Sequence, residues 1–290
     1  MRKRSFVAVF GFCCIIGFLI VNKYYNQKTY TIPKQIRYSF TLQNKTNQIY
    51  KNVKFWAYAP VKLTSSQSCQ HIESSESFQI VSDQCGNQIL QFSFDKFPPY
   101  ASRIIAIKAD LLMSDKANKI PANDATIFLQ SEKLIEANHP DIIRHAKSLE
   151  NRNPIKTVEN IFSWVSENVA YSGYDRADRG ALYAFTEKKG DCTEYALLFA
   201  ALCRADEIPA RSVLGYISID NNILKPSGFH NWVEFYNGGV WQIADPQNKI
   251  LMKNSSTNIA MKIVNNANKN PLNEFDRFHV QEEGISVIMN

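Results

Sequence analysis

The chain has 290 residues, 45% of them hydrophobic and 21% charged, with 11 glycines and 11 prolines. Such usage is globular and excludes disorder, collagen-like repeats and a small disulfide-held scaffold; the length supports one large core or two modest ones without metal or crosslinks. Of the formal net charge of +6, Arg2, Lys3 and Arg4 supply half, which leaves too weak a basic surface for a nucleic-acid partner.

Those three basic residues precede a sixteen-residue apolar run from Phe6 to Val21, closed by Asn22-Lys23. A full span needs about 20 residues, and no small-x-small cleavage site follows the run. Residues 1–22 are therefore expected to be an uncleaved signal anchor. The basic tip then stays cytoplasmic and the body lies on the extracytoplasmic side, periplasmic or extracellular. A signal peptide cut near residue 22 is the alternative, and it exports the body as well.

Residues 30–115 read as a β-rich, sandwich-like domain. Arg37–Leu42, Val53–Tyr58, Ile89–Phe94 and Arg103–Lys108 show period-two alternation between polar turn clusters such as Asn44-Lys-Thr-Asn47 and Pro98-Pro99, the pattern of short strands at regular spacing. Cys69 and Cys85 flank a β-excursion, and in an oxidising compartment they are expected to pair. Beyond residue 115 the spacing turns helical. Pro140-Asp141 opens a stripe of Ile142, Ile143, Ala146 and Leu149, and Asn153-Pro154 caps a second stripe of Val158, Ile161, Phe162, Val165 and Val169, since Asn at the cap and Pro at the first helical position suit a helix start. Trp164 lies off the centre of that stripe and is expected to flank the core.

The chemistry-bearing residues follow. Gly190-Asp191-Cys192 runs into the apolar stretch Ala196–Cys203, so Cys192 falls at the start of a buried helix, a position that favours an anion and can activate a thiol. Phe229–Tyr236 and Gly239–Asp245 are strands joined at Asn237-Gly238, a strong hairpin signal. With Asn237 and Gly238 as the loop, His230 stands directly opposite Asp245 on one face, with Cβ atoms about 5 Å apart. Asp245 can then orient His230 and stabilise its cation, leaving the far ring nitrogen for Cys192. Nucleophile, base and orienter in that order are the pattern of covalent acyl transfer. Trp232 and Glu234 share the His230 face, where they either line or brace the site or serve only in packing. Residues 251–273, rich in Asn and Lys, are expected to run as a surface excursion within a C-terminal extension of 251–290.

In Thr157–Tyr171, Gly190-Asp-Cys-Thr-Glu-Tyr-Ala196, Ile208-Pro-Ala-Arg211, His230-Asn-Trp-Val-Glu234 and Trp241-Gln-Ile-Ala-Asp-Pro246, in that order, the sequence resembles the transglutaminase-like superfamily, whose core shares its catalytic logic with papain-like proteases and peptide N-glycanases. The resemblance spans about residues 120–250. It implies an α+β fold with a transglutaminase-like catalytic core behind the β-sandwich-like domain, with Cys192 as nucleophile, His230 as base and Asp245 as orienter. It also implies a protein or peptide substrate cleaved or transferred at an amide or isopeptide bond through a thioester. The oxyanion would be held by the Cys192 backbone amide and one further donor, with Tyr171, Tyr183 and Trp164 as alternatives. Eukaryotic crosslinkers of the family use calcium, but no acidic run here resembles a calcium loop, so no metal and no cofactor is expected. Hydrolysis is favoured over crosslinking. The competing reading is an inactive module that holds a peptide or envelope partner in the same groove.

Overall fold

The computed structural model describes residues 30–120, 125–175, 177–220, 222–265, 272 and 276–290. The expected anchor at 1–22 lies outside the described residues, and among these no helix is long and apolar enough to cross a membrane.

The first half folds as two facing antiparallel sheets. β1 (Ile32–Asn44), β3 (Gln67–Ser74) and β6 (Ser102–Met113) form one, in the order β1-β6-β3, while β2 (Tyr50–Ala59), β4 (Phe78–Ser82) and β5 (Gln88–Phe97) form the other, in the order β2-β5-β4. Alternation explains both. Ile36, Tyr38, Phe40 and Leu42 of β1 point inward with Phe55 of β2 and Phe92 of β5, because successive strand residues face opposite sides. Phe40 meets Phe55 edge-on at 5.3 Å.

The expected Cys69–Cys85 disulfide does not form: no bond joins the two sulfurs. Cys69 lies in β3 and packs into the sandwich core. Cys85 sits in the turn after β4, where the Asp83 carboxylate accepts its backbone N–H at 2.9 Å, and it packs against a separate cluster around Val61 and Trp241. The two sulfurs pack against different clusters.

Helices α1 (Pro140–Leu149), α2 (Pro154–Asn168) and α3 (Gly180–Glu187) surround the central helix α4 (Cys192–Ala205). Asn153 Oδ1 accepts the Ile155 N–H at 3.0 Å, so Asn-Pro begins α2 as its residues require. Every residue of α4 from Thr193 to Arg204 is buried, which accounts for its unbroken apolar run. α4 lies on one face of a sheet ordered β9-β8-β7-β10, where β7 is Ala210–Ile217, β8 Phe229–Asn237, β9 Val240–Asp245 and β10 Asn258–Ile263. Val233, Phe235 and Ala244 face α4, while Trp232, Trp241 and Ile243 face a second cluster with Val61 and Phe128.

Two expectations need correction. The β8–β9 loop is Gly238-Gly239, and Asn237 pairs with Val240; both glycines take positive φ, +61° and +87°, as the tight hairpin turn demands. The register is thus two residues away from that inferred. Further, Asn258–Ile263 is no surface excursion, since every residue of β10 is buried and the strand pairs with β7. The C-terminal strands β11 (Phe278–Val280) and β12 (Ile285–Met289) then return to pair with β2 and β1 and complete the sandwich.

Candidate active site

The start of α4 is built by its own sequence. The Asp191 carboxylate accepts the Thr193 N–H at 2.8 Å, and the Glu194 carboxylate reaches back to the Asp191 N–H at 3.0 Å, a reciprocal cap. Gly190 precedes it because a Cβ there would lie 2.3 Å from Glu194 Cβ. The same two carboxylates accept the Asp175 N–H (3.2 Å) and the Arg179 N–H (3.1 Å), which hold the preceding loop over the site. Burial raises the Glu194 carboxyl above its ordinary value, against the Asp191 and Arg179 backbone N–H groups that hydrogen-bond it and lower it, with a smaller upward push from the Asp191 charge. Cys192 is the first residue of the helix and is half-buried. The positive end of α4 therefore already faces two carboxylates, and a thiolate at Cys192 needs a further cation.

His230 supplies it. Its Nε2 lies 2.7 Å from Asp245 Oδ2, and the Cys192 thiol is close enough to add to the proton affinity of the ring. Burial by itself lowers the imidazolium pKa, but hydrogen bonds and charge from Asp245 and Cys192 outweigh it and raise the group to about 9. The two-residue register correction makes His230 and Asp245 diagonal rather than directly opposed. Because side chains alternate with period two, they still share a face, and the diagonal is short enough for the bond.

Sequence reasoning missed several supporting groups. Asn248, in the turn after β9, donates its backbone N–H to Asp245 Oδ1 (3.2 Å) and its side-chain amide to Oδ2 (2.8 Å), with Nδ2 also 3.0 Å from His230 Nε2. Asn231 Nδ2 donates to Thr193 Oγ1 at 2.8 Å, tying the residue after His230 to the residue after Cys192. The Trp232 indole stacks beside the His230 ring at 6.5 Å and 20°.

Glu234, on the same face, braces rather than lines the site: Arg211 Nε and Nη2 both donate to its Oε2, at 2.9 and 2.6 Å, and the guanidinium lies 4.0 Å over the Trp241 ring. Both charges are buried. Glu234→Ala is expected to cost about 3–5 kcal/mol of stability by stranding the Arg211 cation, measurable by urea denaturation.

Cys192 and His230 open into a cleft of about 990 Å³ that Tyr171 also lines. Of the three alternatives for the second oxyanion donor, Tyr171 alone borders this cleft. Trp164 instead packs against His145 and Phe185 beneath Lys188, as the core-flanking expectation has it, and Tyr183 accepts a hydrogen bond from Arg179. Among the described residues no group of three or more His, Cys, Asp or Glu could hold a metal ion.

Residues 144–246 match the family model described as the transglutaminase-like superfamily. They form a transglutaminase-like domain. Cys192, His230 and Asp245 all fall within it. Among solved structures, a candidate cysteine protease from Cytophaga hutchinsonii is similar, with a TM-score of 0.61 and 21% identity over 89% of this chain and 91% of that one. At that identity the likeness establishes a shared fold. The periplasmic domain of TgpA from Pseudomonas aeruginosa aligns over 73% of this chain and 88% of its own, at 16% identity and a TM-score of 0.40. No curated protein gives a significant match.

Proposed function

We propose that the protein is a cysteine-dependent amide or isopeptide hydrolase acting on a protein or peptide, with water as the acyl acceptor. The observation that carries this reading is that Cys192 and His230 line one open cleft, with Asp245 buried behind the ring at 2.7 Å and the imidazolium pKa raised to about 9. The imidazolium stabilises the thiolate that forms at Cys192. The thiolate attacks the acyl carbon, the imidazolium protonates the departing amine as the carbon–nitrogen bond breaks, and a thioester remains. The neutral ring next takes a proton from water as its oxygen attacks the thioester; the carbon–sulfur bond breaks, the acid leaves and the thiolate returns. The Cys192 backbone N–H, at the first position of α4, is aimed where the oxyanion forms, and Tyr171 is the second donor. Placement on the extracytoplasmic side, anchored by residues 1–22, is proposed on those residues alone.

Iodoacetamide near neutral pH tests the nucleophile. Cys192 should react at least about a hundredfold faster than Cys203, which is fully buried in α4 and whose thiol burial pushes far up. Equal, slow labelling of both sulfurs would leave only a non-catalytic peptide-binding module. An acyl donor incubated with a labelled amine then separates the reactions: hydrolysis gives free acid without label, whereas incorporation shows crosslinking.

A further inference from the structure

The acyl-transfer reading asks His230 for two opposite things. It must hold a proton strongly enough to keep the thiolate, and it must shed that proton to serve as base when water attacks the thioester. Asp245 favours the first. Acylation removes the Cys192 thiolate's part in that preference, and a limit on what Asp245 contributes favours the second.

We propose that Asn248 is a positioning residue of this site: its side-chain amide shares Asp245 Oδ2 with the His230 N–H and so moderates how firmly the carboxylate holds the protonated ring. Oδ2 accepts from Nε2 at 2.7 Å and from Asn248 Nδ2 at 2.8 Å. The two donor nitrogens stand only 3.0 Å apart. An acceptor that serves two donors is less basic towards each, and two N–H groups side by side disfavour further positive charge on either. Asp245 is 1% exposed, so water does not relieve the competition. The backbone N–H of Asn248 meanwhile fixes the other carboxylate oxygen at 3.2 Å, so the arrangement does not depend on the amide for its placement.

The titratable groups that contact the ring are Cys192, from the start of α4, and Asp245, from the end of β9. Asp191, Asp175 and Asp178 line the same cleft from the α4 cap and the loop before α3, as do Asp276 and Arg277 from the segment before β11. None of these is altered by a change at Asn248.

The consequence for turnover rests on the proposed hydrolase activity, but the effect on the resting ring does not, which makes two separable measurements possible. In Asn248→Ala, the His230 imidazole, followed by NMR and assigned against a His230 variant, should titrate higher by about one pH unit. Asn248→Asp, which adds a second carboxylate, should move it further in the same direction and serves as the measurement if the alanine variant does not fold. An unmoved or lowered titration in the folded variant overturns the proposal. With an acyl donor, Asn248→Ala should retain rapid acylation while release of acid slows about tenfold near pH 7, so acyl-enzyme accumulates. Equal slowing of both steps also overturns it. If the titration shifts upward but no thioester ever forms, the positioning role stands and the hydrolase reading falls.

Discussion

Replacing His230 by glutamine is expected to slow iodoacetamide alkylation of Cys192 about a hundredfold near pH 7 and to lower turnover a thousandfold or more. The size of the effect follows from the start of α4. A helix N-terminus ordinarily favours a thiolate, but here Asp191 and Glu194 already occupy it, so their charge offsets the benefit. The imidazolium is the cation that stabilises the thiolate, and glutamine keeps roughly its shape while removing that charge. Stability should report the same group. Because the folded-state pKa of His230 is raised from 6.5 to about 9, its contribution is fully present below pH 6.5 and is lost as pH rises through 9. The wild-type protein should therefore lose about 3 kcal/mol more than His230→Gln between pH 6 and pH 10, read as the difference between their urea midpoints at the two pH values. Parallel pH dependence in the two proteins would show that the ring carries no raised proton affinity.

What could be read beforehand was whatever local rules alone decide. Asn153-Pro154 begins α2 because each residue type suits its place at a helix start. Cys192 begins α4 because Gly190, Asp191 and Glu194 leave the chain one way to turn and cap. The partnership of His230 with Asp245 was legible for a sturdier reason than the register used to find it. A slip of two residues leaves every side chain on its own face, so moving the loop from Asn237-Gly238 to Gly238-Gly239 changed the pairing without changing which residues meet. Features that depend on tertiary context left no such trace. The spacing of Cys69 and Cys85 does not tell which sheet each strand joins. Asn258–Ile263 reads as polar because Asn258 and Lys262 are in it, yet both are buried, with the Lys262 ammonium 4.8 Å over the Tyr58 ring where the β10 strand meets the sandwich. Asn248 stands in an irregular turn, outside any periodic pattern. The cue was its place three residues after Asp245, from which a short side chain can fold back on the carboxylate.

The largest loss of stability is expected at a residue that does no chemistry. Gly215 lies in β7 directly opposite His230, and β10 passes so close that a Cβ at this position would fall 1.9 Å from the Ile259 carbonyl oxygen and 2.8 Å from Trp232 Cη2. Glycine within a strand marks such an approach of backbone to backbone, and β10 carries a register shift between Ala260 and Lys262 at this point. No rotamer change can relieve a clash with a main-chain oxygen. Gly215→Ala must push β10 off the sheet edge and also crowds Trp232, the ring that backs the His230 imidazole. A loss of about 4 kcal/mol or more is expected by urea denaturation. Gly228→Ala provides the contrast, since its Cβ would meet only Tyr216 Cδ1 at 3.7 Å and should change stability by about 0.5 kcal/mol at most. In whatever fraction of Gly215→Ala remains folded, Cys192 should alkylate more slowly than in the wild type, because a displaced Trp232 frees the imidazole to swing from the thiol. Normal alkylation in a destabilised variant would mean that β10 alone yields and that the Trp232 stack does not position the base.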